Sequence, residues 1–387
     1  MDPTQVLTGG LFSLALTAIF LLFSRRVAPA LGLIDTPSAH KTHEGEIPLV
    51  GGVAILFTLL VLPVAAESLR EHLPFFIGGL ILCSLGIFDD LRGIAPSIRL
   101  VVQALVIVLV GHFDGAFILD LGHIAPDGNL LTLGWFAIPF SVFAGVGLIN
   151  AFNMSDGIDG LCGSLTLCAL AGLGVVGITN GNGEITLLIA CLIGGVGAFL
   201  FFNLRGSGRP SKRVFLGDAG TYLLGFCLLY IIVKLSQGPE RAMTPVTALW
   251  FCVVPLLDSV AVMLRRMRNG RSPFAADREH LHHMFALSNF SLLSTLCWLS
   301  GAALLAITLS LAGLYAGISE RLLMVAFLGV SAGYYVTATR VWKSRRFLGR
   351  RINRRIGADR RRRTAPFSIA KGGIERRFNE RRQGVPI

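Results

Sequence analysis

"WFAIPFSVFAGVGLI" (residues 135–149) runs straight into "NAFNMSDGIDG" (150–160). The first stretch is apolar throughout and long enough to lie in a membrane. The second carries Asn150, Asn153, Asp156 and Asp159, spaced by threes, together with Gly157 and Gly160. The junction reads as a membrane helix reaching the edge of the bilayer and ending there in chemistry. In an ideal α-helix each step of three falls about 60° short of a full turn. Asn150 and Asp159 would therefore end on opposite faces. The two glycines instead predict that the helix stops and a tight turn gathers the polar groups.

The remainder of the chain supports a membrane setting. Of 387 residues, 53% are hydrophobic and only 15% charged, against about 25% charged in a soluble domain. Apolar runs are predicted to form helices at about 6–24, 48–65, 74–88, 97–113, 135–150, 160–178, 185–202, 219–236, 244–264, 291–315 and 321–339. The fold class is all-α: a polytopic membrane protein of about eleven transmembrane helices. The first run has no basic residue before it and no clear small-residue cleavage site, and reads as a retained helix. The seven cysteines all lie within apolar runs and none forms a CxxC pair, so they read as packing residues.

The net charge of +12 is not spread evenly. Residues 340–387 hold 17 Lys and Arg against 3 Asp and Glu. Two domains follow: a transmembrane domain over 1–339 and a polybasic tail over 340–387. The tail is expected to be disordered and drawn to anionic lipid headgroups. No fold or aromatic platform supports nucleic acid as a partner. In the short loops, Lys and Arg gather on one side, at Arg25, Arg26 and Lys41, then Arg92 and Arg99, then Arg205 to Arg213, then Arg265 to Arg278. That side is expected to be cytoplasmic. With eleven helices the N-terminus then lies outside and the tail inside.

Nearly every chemically interesting residue falls on the expected cytoplasmic side. Asp89 and Asp90 close a helix in "FDDLRG", where adjacent carboxylates repel each other and the helix dipole disfavours both. Asp218 in "FLGDAG" stands at a helix start, a place where an aspartate also serves as a cap. Carboxylates and amide oxygens without a thiolate set suit a hard cation such as Mg²⁺. "RRMRNGRSPFAADREHLHH" (265–283) mixes guanidinium with His280, His282 and His283, which points to anion binding. Positive-inside bias suffices to explain Arg266, Arg268 and Arg271. The loop "DTPSAHKTHEGEIPLVGG" (35–52) offers Lys41 and His43 to a nucleotide, though a plain connection explains it nearly as well.

Together these motifs resemble the polyprenyl-phosphate N-acetylhexosamine-1-phosphate transferase family of bacterial membranes. The likeness spans nearly all of residues 25–340, in five loops and in the family's order. "NAFNMSDGIDGL", "FLGDAG" and "SPFAADREHLHH" are most similar to the branch that uses UDP-N-acetylglucosamine. The resemblance implies an enzyme of the inner membrane, with a periplasmic N-terminus and a cytoplasmic active site. It implies attack of undecaprenyl phosphate on the β-phosphorus of a UDP-N-acetylhexosamine, with UMP leaving. It implies catalytic roles for Asp89 and Asp90, Mg²⁺ ligation by Asn153 and Asp218 (with Mn²⁺ a substitute), and a nucleotide-sugar faced by Asp156 and Asp159. Arg265 and His282 or His283 would hold the diphosphate, with Asn150, Lys41, His43 and His280 as further substrate contacts. The implied pathway is cell-surface polysaccharide synthesis of the O-antigen type.

Two departures matter. Many members carry a charged residue three positions after the second aspartate, where this chain has Gly93. The peptidoglycan branch tends to show three consecutive histidines, whereas here His283 is followed by Met284. Another UDP-N-acetylhexosamine is the near alternative. A secondary transporter is the alternative from a different class, but its charges belong near the midplane between repeats. A scaffold that recruits partners through its basic tail is a third. A homodimer is compatible with the sequence and is not decided by it.

Overall fold

The computed structural model describes residues 2–36, 45–205, 213–272, 280–288 and 290–363, with side chains as far as Trp342 apart from Arg205. The chain divides into two units, Met1–Ala338 and Thr339–Ile387. The helices of the first unit are α1 (Pro3–Val27), α2 (Gly51–Ala65), α3 (Leu73–Arg92), α4 (Pro96–Asp114), α5 (Ala137–Ser155), α6 (Leu161–Thr179) and α7 (Gly183–Arg205). They continue with α8 (Gly217–Ser236), α9 (Pro245–Phe251), α10 (Val253–Arg268), α11 (Leu281–Leu287) and α12 (Leu292–Tyr315). The last helix, α13, is assigned from Glu320 to Arg363.

Among the described residues nine helices are long and apolar enough to cross a membrane, or ten if the bent pair α9 and α10 is one span. Each apolar run of the sequence does become helical, but two do not form the single long helix expected. The run at 48–65 starts its helix only at Gly51, leaving 15 residues. The residues before it are held extended. A short antiparallel hairpin pairs β1 (Ile34–Asp35) with β2 (Ile47–Pro48), and Phe215 N–H donates to Pro48 O at 2.8 Å. The run at 244–264 breaks at Cys252, where α9 and α10 meet at 82°. Pro255 explains the break: it has no N–H for the Phe251 carbonyl, and its ring collides with that carbonyl in a continuous helix.

The helix at the centre is α8, packed against α2, α3, α5 and α6 and buried along almost its whole length. Lipid tails supply no hydrophobic drive between helices, so small residues that let backbones approach do much of the packing. A Cβ on Gly86 would strike the backbone of Ala219, and one on Gly52 the backbone of Gly220. These two glycines let α3 and α2 meet the start of α8 directly. Gly10 and Gly194 do the same for α1 and α7.

Far from the start of α8, its other end carries a closed polar cluster. Tyr230 OH donates to Asp114 Oδ2 at 2.6 Å and lies 2.8 Å from His72 Nδ1. Lys234 Nζ reaches Asp114 Oδ1 at 3.2 Å. These contacts pin the start of α3 to α4 and α8, with Glu184 of α7 lying 3.3 Å from His72 Nε2.

In the second unit the tail departs from expectation. Residues 340–387 were expected to be disordered, yet α13 keeps its helical backbone to Arg363. Arginine and lysine are good helix formers, and no proline falls between 340 and 363. Residues 364–387 lie outside the described residues.

Candidate active site at the start of helix α8

Helix α5 does not stop near residue 150; it runs to Ser155, followed by the turn that ends at Gly160 (φ +73°). The four polar residues spaced by threes therefore fan out to different partners instead of gathering in one turn. Asn150 Nδ2 donates to Gln103 Oε1 on α4 at 2.7 Å and to Val146 O at 2.8 Å. Asn153 Nδ2 donates to Asp218 Oδ1 on α8 at 2.6 Å and to Thr221 Oγ1 at 2.9 Å. Asp156 faces a cavity, and Asp159 pairs with Arg213 just ahead of α8.

The aspartate pair at the end of α3 splits in the same way. Asp89 is only 8% exposed and both its oxygens are in use. Oδ1 accepts from Ile94 N–H at 2.7 Å. Oδ2 accepts from Arg99 Nη1 and from Tyr222 OH, each at 2.8 Å. Asp90 turns to the first residues of α8, accepting from Asp218 N–H at 3.1 Å and Ala219 N–H at 3.4 Å. A carboxylate there meets the positive end of the helix dipole and unsatisfied N–H groups. Gly217 (φ +72°) leaves room for it: a Cβ there would sit 2.6 Å from Asp90 Oδ2.

Asp90, Asn153 and Asp218 thus converge where α3, α5 and α8 meet. Beside them lies a cavity of about 390 Å³. Its walls carry Arg99 from α4, Asn150, Asn153 and Asp156 from α5 and its turn, Ser259 and Arg266 from α10, and His280, His282 and His283. Ser259, Met263 and Arg266 share one face of α10 by their helical spacing. Asp156 is itself exposed to solvent; the protein atoms packed around it, then the charges of Asp218 and Asp90, push its carboxyl up to about 7.

The histidines divide by environment. Burial, reinforced by His283 and His280, pushes His282 down to about 3. Its surroundings favour the neutral ring, which can hydrogen-bond. A Cβ on Gly157 would overlap the His282 ring, so the turn after α5 rests directly on it. His280 Nδ1 lies 2.9 Å from Asp258 Oδ2.

Several expected positions are placed differently. Lys41, His43 and residues 273–279 lie outside the described residues. Asp89, Asp90, Asp159, Asp218 and Arg265 are not among the cavity's lining residues; of the converging group Asn153 alone lines it. Arg266, assigned from sequence to membrane orientation alone, does line it. Sequence reasoning missed Gln103, Asp258, Tyr222 and Tyr334, and took Arg99 as loop charge. Gln103 and Asp258 carried a readable signal, each a lone polar group inside an apolar run. Tyr222 and Arg99 carried none, since their importance lies in a contact 123 residues apart along the chain.

The Asp89 anchor yields an ordered expectation. Tyr222→Phe removes one of three donors, and Arg99→Gln removes the only cationic one. Thermal denaturation should show both variants losing about 1.5–3 kcal/mol, since each removes a hydrogen bond to the Asp89 carboxylate, with the Arg99 variant the larger because its donor is charged as well. The reverse order would contradict Arg99 as the main counter-charge.

The carboxylates and amide suit a hard cation. Among the described residues no three His, Cys, Asp or Glu side chains form a ready-made metal cage. Mg²⁺ would take one or two such carboxylates and complete its shell with water and substrate phosphates. Ligation by Asn153 requires its amide oxygen, not the nitrogen that meets Asp218, to face the ion.

Comparison with known proteins agrees with this architecture. Residues 72–236, which hold Asp89, Asp90, Asn153 and Asp218, match glycosyl transferase family 4. The chain is 34% identical over 346 residues to the undecaprenyl-phosphate alpha-N-acetylglucosaminyl 1-phosphate transferase of Escherichia coli strain K12, covering 89% of this chain and 94% of that one. It is 35% identical to the protein of the same name from Yersinia pestis, covering 91% and 95%. For the Haemophilus influenzae protein of that name the identity is 33%, covering 87% and 94%. The chain belongs to glycosyl transferase family 4, as a multi-pass membrane sugar-phosphate transferase of the polyprenyl-phosphate N-acetylhexosamine-1-phosphate transferase type.

Proposed function

We propose that this enzyme transfers N-acetylglucosamine-1-phosphate from UDP-N-acetylglucosamine to undecaprenyl phosphate. The products are undecaprenyl-diphosphate-N-acetylglucosamine and UMP, in the first lipid-linked step of a surface polysaccharide of the O-antigen type. The observation that carries the reading is the convergence of Asp90, Asn153 and Asp218 beside a cavity walled by arginine and histidine. A lipid phosphate oxygen attacks the β-phosphorus, and the bond from that phosphorus to the oxygen bridging to the α-phosphorus breaks. Phosphoryl transfer asks a protein for positioning and charge neutralisation more than for covalent chemistry.

The chain's own residues divide that work. Asp89 is committed to Arg99, Tyr222 and Ile94, which leaves Asp90 as the carboxylate of the pair able to take the acceptor's proton. Asp218 and Asn153 would hold Mg²⁺, which supplies Lewis-acid neutralisation of the diphosphate when bound. Arg266 and the histidines would meet the phosphates, and Asp156 the nucleotide-sugar. The site sits at the end of the bundle that the loop arginines assign to the cytoplasm, where a soluble nucleotide-sugar can meet a lipid acceptor.

The test is UMP release by purified protein given undecaprenyl phosphate, Mg²⁺ and, in parallel, UDP-N-acetylglucosamine, UDP-N-acetylgalactosamine and UDP-MurNAc-pentapeptide. Release with the first donor alone is expected; release with another donor instead would overturn the substrate reading. Chelation should stop turnover and Mn²⁺ should restore it. A carboxyl that titrates near 7 must lose its proton before the acidic cluster can fully favour a cation. Half-saturating Mg²⁺ should therefore fall as pH rises from 6 to 8, and a flat dependence would contradict coupling of Asp156 to the ion.

A further inference from the structure

Asp258 stands in the middle of α10 and is 7% exposed. Three donors from three places meet its two oxygens. His280 Nδ1 lies 2.9 Å from Oδ2, Leu281 N–H donates to Oδ1 at 3.0 Å, and Tyr334 OH donates to Oδ1 at 2.9 Å. A carboxylate only accepts, so its partner Nδ1 must carry the hydrogen. Nε2 is then the ring atom left for a ligand in the cavity that His280 lines. The His280 and His282 rings stack at 5.7 Å with 3° between their planes. Asp258 is the carboxylate that meets the His280 ring.

We propose that Asp258 is a positioning residue for the sugar-phosphate transfer: it fixes the tautomer and direction of His280, with Tyr334 of α13 holding the carboxylate from behind. The role in turnover rests on the proposed reaction; the hydrogen bond that fixes the ring does not. A carboxylate behind an imidazole also supplies the counter-charge a positive ring needs when it meets a phosphate. Asp258 touches no substrate in this arrangement and acts through the His280 ring and the Leu281 N–H beside it.

The test is a double-mutant cycle with a spectroscopic arm. Asp258→Ala and His280→Ala should each raise the KM for the UDP-sugar by roughly tenfold to a hundredfold, with a smaller change in kcat. The double variant should be no worse than His280→Ala alone, because the two act as one unit. Asp258→Glu should recover part of the loss, and Tyr334→Phe should raise KM only a few-fold. In protein labelled with ¹⁵N-histidine, the hydrogen-bonded Nδ1–H signal of His280 should vanish in Asp258→Ala and persist in Tyr334→Phe. Multiplying losses in the double variant, or an unmoved His280 signal in Asp258→Ala, would overturn the proposal. If the wild type releases UMP with none of the donors, the proposed reaction fails, and the histidine signal still decides the role of Asp258. Should Asp258→Ala not fold, Asp258→Asn serves: it keeps one acceptor for three donors, and its His280 signal should shift.

Discussion

Asp218→Asn and Asp90→Asn are each expected to abolish UMP release, by at least about a thousandfold, while the protein still folds. Removing one preorganised charge-stabilising group from a transfer site typically lowers kcat by roughly 10²–10³. Here the loss also removes a carboxylate from the place that suits Mg²⁺. Folding should survive for a local reason. Asp90 accepts from two backbone N–H groups at the start of α8, and an asparagine keeps one acceptor there. Asp90 and Asp218 also both raise Asp156, which shows that the carboxylates crowd one another. Neutralising one relieves the crowding, so thermal stability without Mg²⁺ should hold or rise. Near-normal turnover in either variant would refute its assigned role. A variant that is inactive because it is unfolded would show instead as a lost thermal transition.

Gly86→Ala is expected to damage the fold and the activity together. The added methyl has no flexible neighbour to push aside, because it meets the backbone of Ala219. Overpacking of this kind costs about 1–3 kcal/mol and sometimes more. The displaced part is the first turn of α8, which holds Asp218 and receives Asp90. Gly52→Ala should behave alike, through the backbone of Gly220. Gly301→Ala is the control. It lies in α12 with nothing within 4 Å of a new Cβ, and should gain about 0.5–1 kcal/mol through helix propensity. Melting curves in detergent, read beside UMP release, check all three. A Gly86 variant with an unchanged melting point would show that α8 can shift without penalty.

Much of this was legible in the sequence because hydropathy and punctuation carry it. The apolar runs became helices, and Asp90, Asn153 and Asp218 meet where α3, α5 and α8 come together. What was not legible depended on long-range contact or on backbone. Asn150 and Asn153 read as neighbours in one cluster, but a continued helix sends one to Gln103 on α4 and the other to Asp218 on α8. Asp89 and Asp90 read as an equivalent pair, yet Arg99 and Tyr222 claim the first and the start of α8 claims the second. Pro255 was visible, but its effect was outweighed in the reading by the hydrophobicity around it. Asp258 was visible too, and without a partner in view it had no stated purpose.

The joint between the first loop and α8 is made of main chain. Phe215 N–H donates to Pro48 O, Gly51 N–H to Phe215 O at 2.9 Å, and Gly52 N–H to Leu216 O at 3.0 Å. Such a splice is encoded by spacing more than by side-chain identity. Replacing Phe215 or Leu216 one at a time leaves its atoms in place, so an alanine scan would read the packing of the buried Leu216 side chain and not the splice. A single inserted residue between Arg213 and Gly217 would put every bond out of step. Apart from the glycines that keep it open, the segment that delivers Asp218 is thus held by bonds that substitution leaves in place and that a change in length would move.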